Sequence, residues 1–311
     1  MNALRFVSPL LRACLLLAAV CPALALAAAP RNIDERRPLD SHAQVEVINV
    51  AGRVEIIGWD KPELAVNGTL GGGVERLDIT TVGSRTTVRV VTHGLAGIHF
   101  GWNPTAPEEA RLVIHVPTAA SISAQLVSAD INVSGVSGNQ EIQTVSGDVL
   151  AAVRHEVRVH TVSGDVKLNA GSESRLIEVQ TVSGDLIIDG GGGEISINSV
   201  SGDGLLRVGG VTRFKVKTVS GDFNVALTLA ADGRLDAESI SGDLNVDFAG
   251  ALPPAEYDLQ TFSGDLETCS GRKGAREGFG PGNRLNFREG AGTGRVRVDT
   301  KSGDVKLCAH K

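Results

Sequence analysis

The chain has 311 residues, with 30 Lys and Arg against 36 Asp and Glu, a formal net charge of −6, and only 4% aromatic residues. A mildly acidic chain without basic clusters is poorly suited to bind nucleic acid, or anionic lipid by charge, and so few aromatics leave little for stacking on sugars or bases. Gly supplies 38 of the residues, well above the average of about 7%, as in turn-dense all-β proteins.

Residues 1–27 read as a cleavable secretory signal peptide. Arg5 and Arg12 give a basic start, Ala13–Val20 an apolar run, and Ala25-Leu26-Ala27 a small-residue cleavage site. The run is shorter than the ~20 residues a spanning helix needs, and Pro22 interrupts it. Cys21 follows Val20, and Cys14 has Arg12 two positions upstream, so neither sits in a usual lipidation motif. No later segment is apolar for long enough to span as a helix. The expectation is an exported protein, periplasmic, secreted or at the cell surface. Cleavage removes two Arg and no acid, so the mature net charge is −6 − 2 = −8. It leaves two cysteines, Cys269 and Cys308, in a compartment where disulfides persist.

Residues 28–44, with Pro30, Pro38 and mixed charge, show no periodicity and read as a flexible lead. Residues 45–117 read as a β-rich capping region, with strands expected at Val45–Val50, Arg53–Ile57, Glu63–Val66, Arg76–Thr81, Thr87–Val91 and Arg111–Val116. Lacking a regular beat, these are expected to form hairpins that cover the first rung of the repeat region and protect its open sheet edge. Within them His93–Ala110 is the longest irregular loop, holding His93, His99, Phe100 and Trp102. It reads as a lid over that rung or as a binding loop, the lid being the simpler reading.

From 118 to 311 the chain repeats. Thr-Val-Ser-Gly-Asp or a near-copy ends in Ser146-Gly147-Asp148, Ser163-Gly164-Asp165, Ser183-Gly184-Asp185 and Ser201-Gly202-Asp203. It recurs at Ser220-Gly221-Asp222, Ser241-Gly242-Asp243, Ser263-Gly264-Asp265 and Ser302-Gly303-Asp304. The steps between Asp residues are 17, 20, 18, 19, 21 and 22 residues, then one of 39. Before each turn apolar and polar residues alternate, as in Val157/Val159/Thr161 around Arg158 and Ile177/Val179/Thr181 around Glu178. After it come pairs such as Val166/Leu168 and Leu186/Ile188. Period-2 alternation marks a strand with one buried face, and one such unit cannot bury that face alone. Stacked in parallel at about 4.8 Å per rung, the units can. The predicted fold is all-β, a parallel β-helix or β-solenoid of rungs of about 19 residues with an N-terminal β-hairpin cap.

In each turn Gly is expected to take a positive φ, and the Ser and Asp side chains to bond backbone N–H groups of their own turn. Thr or Ser four residues before Asp points inward, where its hydroxyl can meet a neighbour or a buried carbonyl. The segment Asn49–Ile56 is a worn copy, with Ala for Ser and Arg for Asp. The opposite turns vary freely, as at residues 169–174, 190–193 and 249–255, so a binding function would sit more naturally along that edge or on a sheet face. Residues 270–294 read as a protruding loop between the last two rungs.

Together the Thr-Val-Ser-Gly-Asp ladder, the leading Gly52–Trp59 segment and the export signal resemble the bacterial putative-adhesin family of β-strand-repeat proteins, over roughly residues 45–308. That resemblance implies an envelope-associated repeat domain and brings no catalytic residues.

The row of Asp invites a calcium reading, but one carboxylate per rung and the absence of the Gly-rich calcium nonapeptide favour a structural turn. His155 and His160, with Glu156 and Asp165 nearby, match no metal-ligand spacing. No nucleophile elbow, zinc-protease motif or phosphate loop occurs. The sequence therefore assigns no catalytic, cofactor or metal residue. It points to a non-enzymatic structural or adhesive scaffold of the envelope, with an unidentified protein or polysaccharide partner. A ligand-binding or sensing module using the His93–Ala110 loop is the first alternative, and a carbohydrate-active enzyme on a β-helix the second. Cys269 and Cys308 each lie four residues past a turn Asp, at the same phase, and are expected to bridge directly neighbouring strands. On this reading the disulfide clamps a last rung that has one neighbour.

Overall fold

The computed structural model describes residues 30–92, 109–276 and 282–310. The leader at 1–27 and most of the His93–Ala110 loop lie outside the described residues. The leading strands are β1 (Arg31–Pro38), β2 (Gln44–Trp59), β3 (Glu63–Leu70), β4 (Val74–Val82), β5 (Arg85–Thr92) and β6 (Ala110–Pro117). The repeats begin with β7 (Ser121–Ser134), β8 (Gln140–Ser146), β9 (Val149–Val153), β10 (Glu156–Ser163), β11 (Val166–Ala170), β12 (Leu176–Ser183) and β13 (Leu186–Gly190). They continue through β14 (Gly193–Ser199), β15 (Gly204–Ser220), β16 (Phe223–Ser241), β17 (Leu244–Ala249), β18 (Ala255–Ser263) and β19 (Leu266–Thr268). The chain ends with β20 (Ala275–Arg276), β21 (Asn283–Glu289), β22 (Gly294–Ser302) and β23 (Val305–His310).

The repeat strands pair in parallel, turn over turn, with Ser146 in register with Ser163 and Ser163 with Ser183. Each rung buries the positions that alternation marks. Val157, Val159, Val166, Leu168, Ile177, Val179, Leu186 and Ile188 are all buried in one continuous core. Fully burying a side chain of this size contributes about 1.5–3 kcal/mol, and no rung obtains that burial without its neighbours.

At both ends the rungs are stacked out of chain order. β2 lies between the rung made by β5 and β6 and the rung made by β7, pairing in parallel with all three. The leading region is therefore not hairpins alone. Two of its rungs continue the parallel stack, and the worn copy falls in place, with Ala51 opposite Ser128 and Arg53 opposite Asp130. Antiparallel pairing begins beyond them, β4 on β5, β3 on β6 and β1 on β3. β1 lies in the segment expected to be flexible; its side chains are almost all exposed, and it is held by backbone pairing along an edge.

The C-terminus mirrors this. β22 pairs in parallel with β16 on one side and β18 on the other, and β23 does the same between β17 and β19. The last rung in sequence is thus inserted one rung inside the stack, and the β18–β19 rung is outermost. This corrects the expectation of a last rung with one neighbour. Part of the interval expected to protrude also folds back, as β21 pairs antiparallel with the outer edge of β18. Phe287 of β21 stacks on Tyr257 at 4.4 Å between ring centroids, and the Tyr257 hydroxyl donates to the Pro253 carbonyl at 2.8 Å. A disulfide joins Cys269 to Cys308, their Cα atoms 4.9 Å apart.

Candidate functional site

The Ser-Gly-Asp turns stack in register along one edge, and the recurring Thr, Gly and Asp each have a structural task. The backbone N–H of Asp165 donates to Oδ1 of Asp148 at 3.0 Å, that of Asp185 to Asp165 at 2.9 Å, and that of Asp203 to Asp185 at 3.0 Å. The same bond joins Asp148 to Asp130, Asp222 to Asp203 and Asp243 to Asp222. It then jumps to the inserted rung, Asp304 to Asp243, and returns from Asp265 to Asp304. Residue chemistry alone predicts that each carboxylate bonds its own turn; from Asp130 through Asp243 to Asp304 they accept from the next rung of the stack instead. A bond to a charged acceptor contributes about 1.5–3 kcal/mol at its strongest, less for exposed carboxylates such as these.

Of the other turn positions, Thr braces its own turn and Gly allows the rungs to approach. The hydroxyls of Thr161, Thr181 and Thr218 donate to the carbonyls of Ser163, Ser183 and Ser220, two residues on, at 3.1–3.2 Å. Gly184 has φ +123°, and a Cβ added there would overlap the carbonyl oxygen of Gly164 one rung away. Glycine is thus required twice, by the dihedral and by the close approach of backbones.

In the two leading rungs the ladder position holds Arg. Arg53 is in register with Asp130 on one side and Arg111 on the other. The Arg53 guanidinium meets the Asp130 carboxylate at 3.2 Å, so the row of acids ends on a cation. At the opposite end the Asn283 amide donates to the Gly264 carbonyl at 2.6 Å. A depression of about 540 Å³ at the Arg end is lined by Gly52, Arg53, Glu109, Arg111, Ser128 and Asp130, and mixes both signs of charge.

The His155–His160 region does not assemble a metal site. Glu156 and Glu178 lie 3.7 and 3.5 Å from Arg158, and among the described residues no group of three or more His, Cys, Asp or Glu could hold a metal ion. Trp59 is engaged rather than open as a platform, with Nε1 donating to the Glu63 carbonyl and Lys61 over the ring. Burial of Tyr257, with Glu289 adding to it, pushes its phenol above the usual range, so it stays protonated.

One position of the motif is not singled out by the sequence pattern. The Val three residues before each Asp points outward, giving an exposed row of Val127, Val145, Val162, Val182, Val200, Val219 and Ile240, followed by Phe262 in the outer rung. The recurrent Thr-Val pairing in the repeats is the signal that could have found it.

The fold defines an all-β, solenoid-like protein locked along one edge by a carboxylate ladder. The chain belongs to the Toastrack DUF4097 family, which matches residues 118–192 and 174–308. No curated protein matches it. Among solved structures it is similar to a "putative lipid binding protein" of Parabacteroides distasonis ATCC 8503, at 11% identity and TM-score 0.47, covering 90% of this chain and 96% of that one. It is also similar to a "putative adhesin" of the same organism, at 12% identity and TM-score 0.45, covering 89% and 97%. A "putative adhesin" of Bacteroides fragilis NCTC 9343 matches at 12% identity and TM-score 0.40, again covering 89% and 97%. Likenesses this distant carry no inference about what this chain binds.

Proposed function

We propose that the protein is an exported, non-enzymatic β-solenoid that serves as a structural or adhesive scaffold in the cell envelope. In this reading residues 1–27 are a cleaved leader, rungs of about 19 residues form a stiff shaft, and the antiparallel strands at its two ends are caps. The observation that carries it is the use made of the repeated polar residues. Asp and Gly of the turns are spent on stacking one rung upon the next and Thr on closing its own turn, which leaves no convergent set of acid, base and nucleophile among the described residues of the repeats. The disulfide supports an oxidising compartment.

Cell fractionation with sequencing of the mature N-terminus tests export; an uncleaved chain in the cytoplasm overturns it. Incubating the purified mature protein with envelope polysaccharide tests the rest. No new reducing ends are expected, and their steady release overturns the non-enzymatic reading.

A further inference from the structure

The exposed row three residues before each Asp is not explained by the fold. Val127, Val145, Val162, Val182, Val200, Val219 and Ile240 occupy seven successive rungs and are each 42–54% exposed. Six steps of about 4.8 Å make an in-register apolar stripe about 29 Å long. It ends where the inserted rung places Lys301 at the same position. Beside it runs the row of turn carboxylates, those of Asp148, Asp165, Asp185 and Asp203 exposed with one oxygen each accepting a backbone N–H, and that of Asp130 also paired with Arg53. Contiguous exposed apolar surface with a polar rim marks an interaction site.

We propose that this stripe is a docking surface for a cationic amphipathic helix of a partner protein. Charge complementarity selects the partner. A row of carboxylates repels nucleic acid, anionic lipid and acidic glycan, and favours Lys and Arg. It also disfavours a second copy, because two mature chains of net charge −6 − 2 = −8 would present like-charged carboxylate rows at the contact. The stripe has no aromatic platform for a sugar until Phe262, beyond Lys301. Spacing selects the helix. One apolar residue per turn repeats every 5.4 Å, against about 4.8 Å per rung, so the rows drift by about 4 Å over six steps, less than one rung. Cations flanking the apolar row reach the carboxylates on one side.

The proposal rests on the scaffold reading and names the partner class of its adhesive face; export and lack of catalysis are tested separately, so the two can fail independently. The experiment titrates the mature full-length protein with a synthetic peptide of about 18 residues carrying one Leu per helical turn between Lys residues, at about 50 mM salt. A peptide of the same composition in scrambled order is the control. One variant combines Val162→Ser, Val182→Ser and Val200→Ser. The other combines Asp165→Asn, Asp185→Asn and Asp203→Asn, where the amide oxygen still accepts the ladder bond. The patterned peptide is expected to bind with a Kd at least tenfold below that of the scrambled one, and each triple variant to weaken it at least tenfold. Should a triple variant not fold, Val182→Ser and Asp185→Asn alone are expected to weaken binding about twofold to threefold each. Equal binding of both peptides, or unchanged binding to the Val→Ser protein, reduces the effect to bulk charge and overturns the proposal. So does a dimer of the wild-type protein that Val182→Ser dissociates, which assigns the stripe to a second copy.

Discussion

The backbone N–H of Asp304 donates to Oδ1 of Asp243 at 2.8 Å across 61 residues of sequence, the same bond at the same distance that joins Asp243 to Asp222 across 21. The ladder does not register chain order. Its backbone bonds behave alike, since the N–H of Leu244 meets the Asp304 carbonyl at 2.9 Å as that of Phe223 meets Asp243. What the repeat specifies is a neighbour of the right shape, and the last rung in sequence satisfies that one position inside the stack.

Asp243→Ala removes the acceptor for Asp304 and is expected to destabilise by about 1 kcal/mol. Asp243→Asn keeps an acceptor oxygen and removes like-charge repulsion worth up to about 0.9 kcal/mol per neighbour at ~4.8 Å in water, so it is expected to be neutral or mildly stabilising. Urea denaturation at low and high salt separates the terms, because the advantage of Asn shrinks with screening. Equal destabilisation by Ala and Asn at high salt excludes a simple acceptor role.

Much of the core was legible in the sequence because alternation at period 2 marks the inward face, as at Val157, Val159 and Leu168. The acceptor for each Asp N–H was not, since a linear pattern cannot distinguish a group in its own turn from one a rung away. Nor was the insertion of the last rung. Thr261–Asp265 and Thr300–Asp304 present the same turn, and pattern alone is indifferent to their order. β1 went unread because Arg31–Pro38 has no apolar alternation and is held mainly by backbone pairing, with Ile33 alone packed on the core and Arg31 donating to the Val74 and Glu75 carbonyls. At the edge, the tasks of Gly, Thr and Asp were partly readable from residue chemistry. The outward Val was passed over because it sits between two residues that the turn itself explains.

Gly184→Ala is expected to cost more than 3 kcal/mol, since it adds a backbone overlap with Gly164 to an unfavourable φ of +123°. Gly209→Ala serves as the control: nothing lies within 4 Å of its added Cβ, and it should be nearly neutral or slightly stabilising. Thermal unfolding of the two variants decides it, and similar shifts would show that rungs separate easily.

The buried phenol of Tyr257 makes stability depend on alkaline pH. Its pKa is raised in the folded state above the ordinary 10.0, chiefly by burial and then by Glu289. The unfolded chain therefore releases this proton first, so the contribution is fully present below about pH 10 and is lost as pH rises further toward the folded value. Tyr257→Phe is expected to lose about 1 kcal/mol at pH 7 with the bond to Pro253, and to show a shallower fall above pH 10. Chemical denaturation at pH 8, 9.5 and 10.5 measures both; parallel curves for the two proteins would refute the assignment.

Cys308→Ser opens a loop closed by a sequence separation of 39 residues. In the chain-entropy model this costs about 3–4 kcal/mol. The variant should still fold, because Val305 and Leu307 remain buried between two rungs. Its urea midpoint should match that of the reduced wild type. Two titratable thiols in the denatured, unreduced wild-type protein would mean that the bond does not form.

Deleting residues 294–311 tests the insertion itself. Among the described residues β18 pairs with β22 and β21, and β19 with β23 and, through one bridge, with Lys273, so the truncated chain leaves the β18–β19 rung separated from β16 and β17 by an empty slot. The loss should exceed that of Cys308→Ser, since Val296, Val298, Val305 and Leu307 leave the core, each worth about 1.5–3 kcal/mol before chain entropy is counted. Hydrogen exchange is expected to show residues 255–268 unprotected while 121–220 stay protected. Full protection at 255–268 would mean that the outer rung has moved in and docked on the Asp243 turn. In that case the order of the last two rungs reflects which of them reaches the stack first, and not which one fits it.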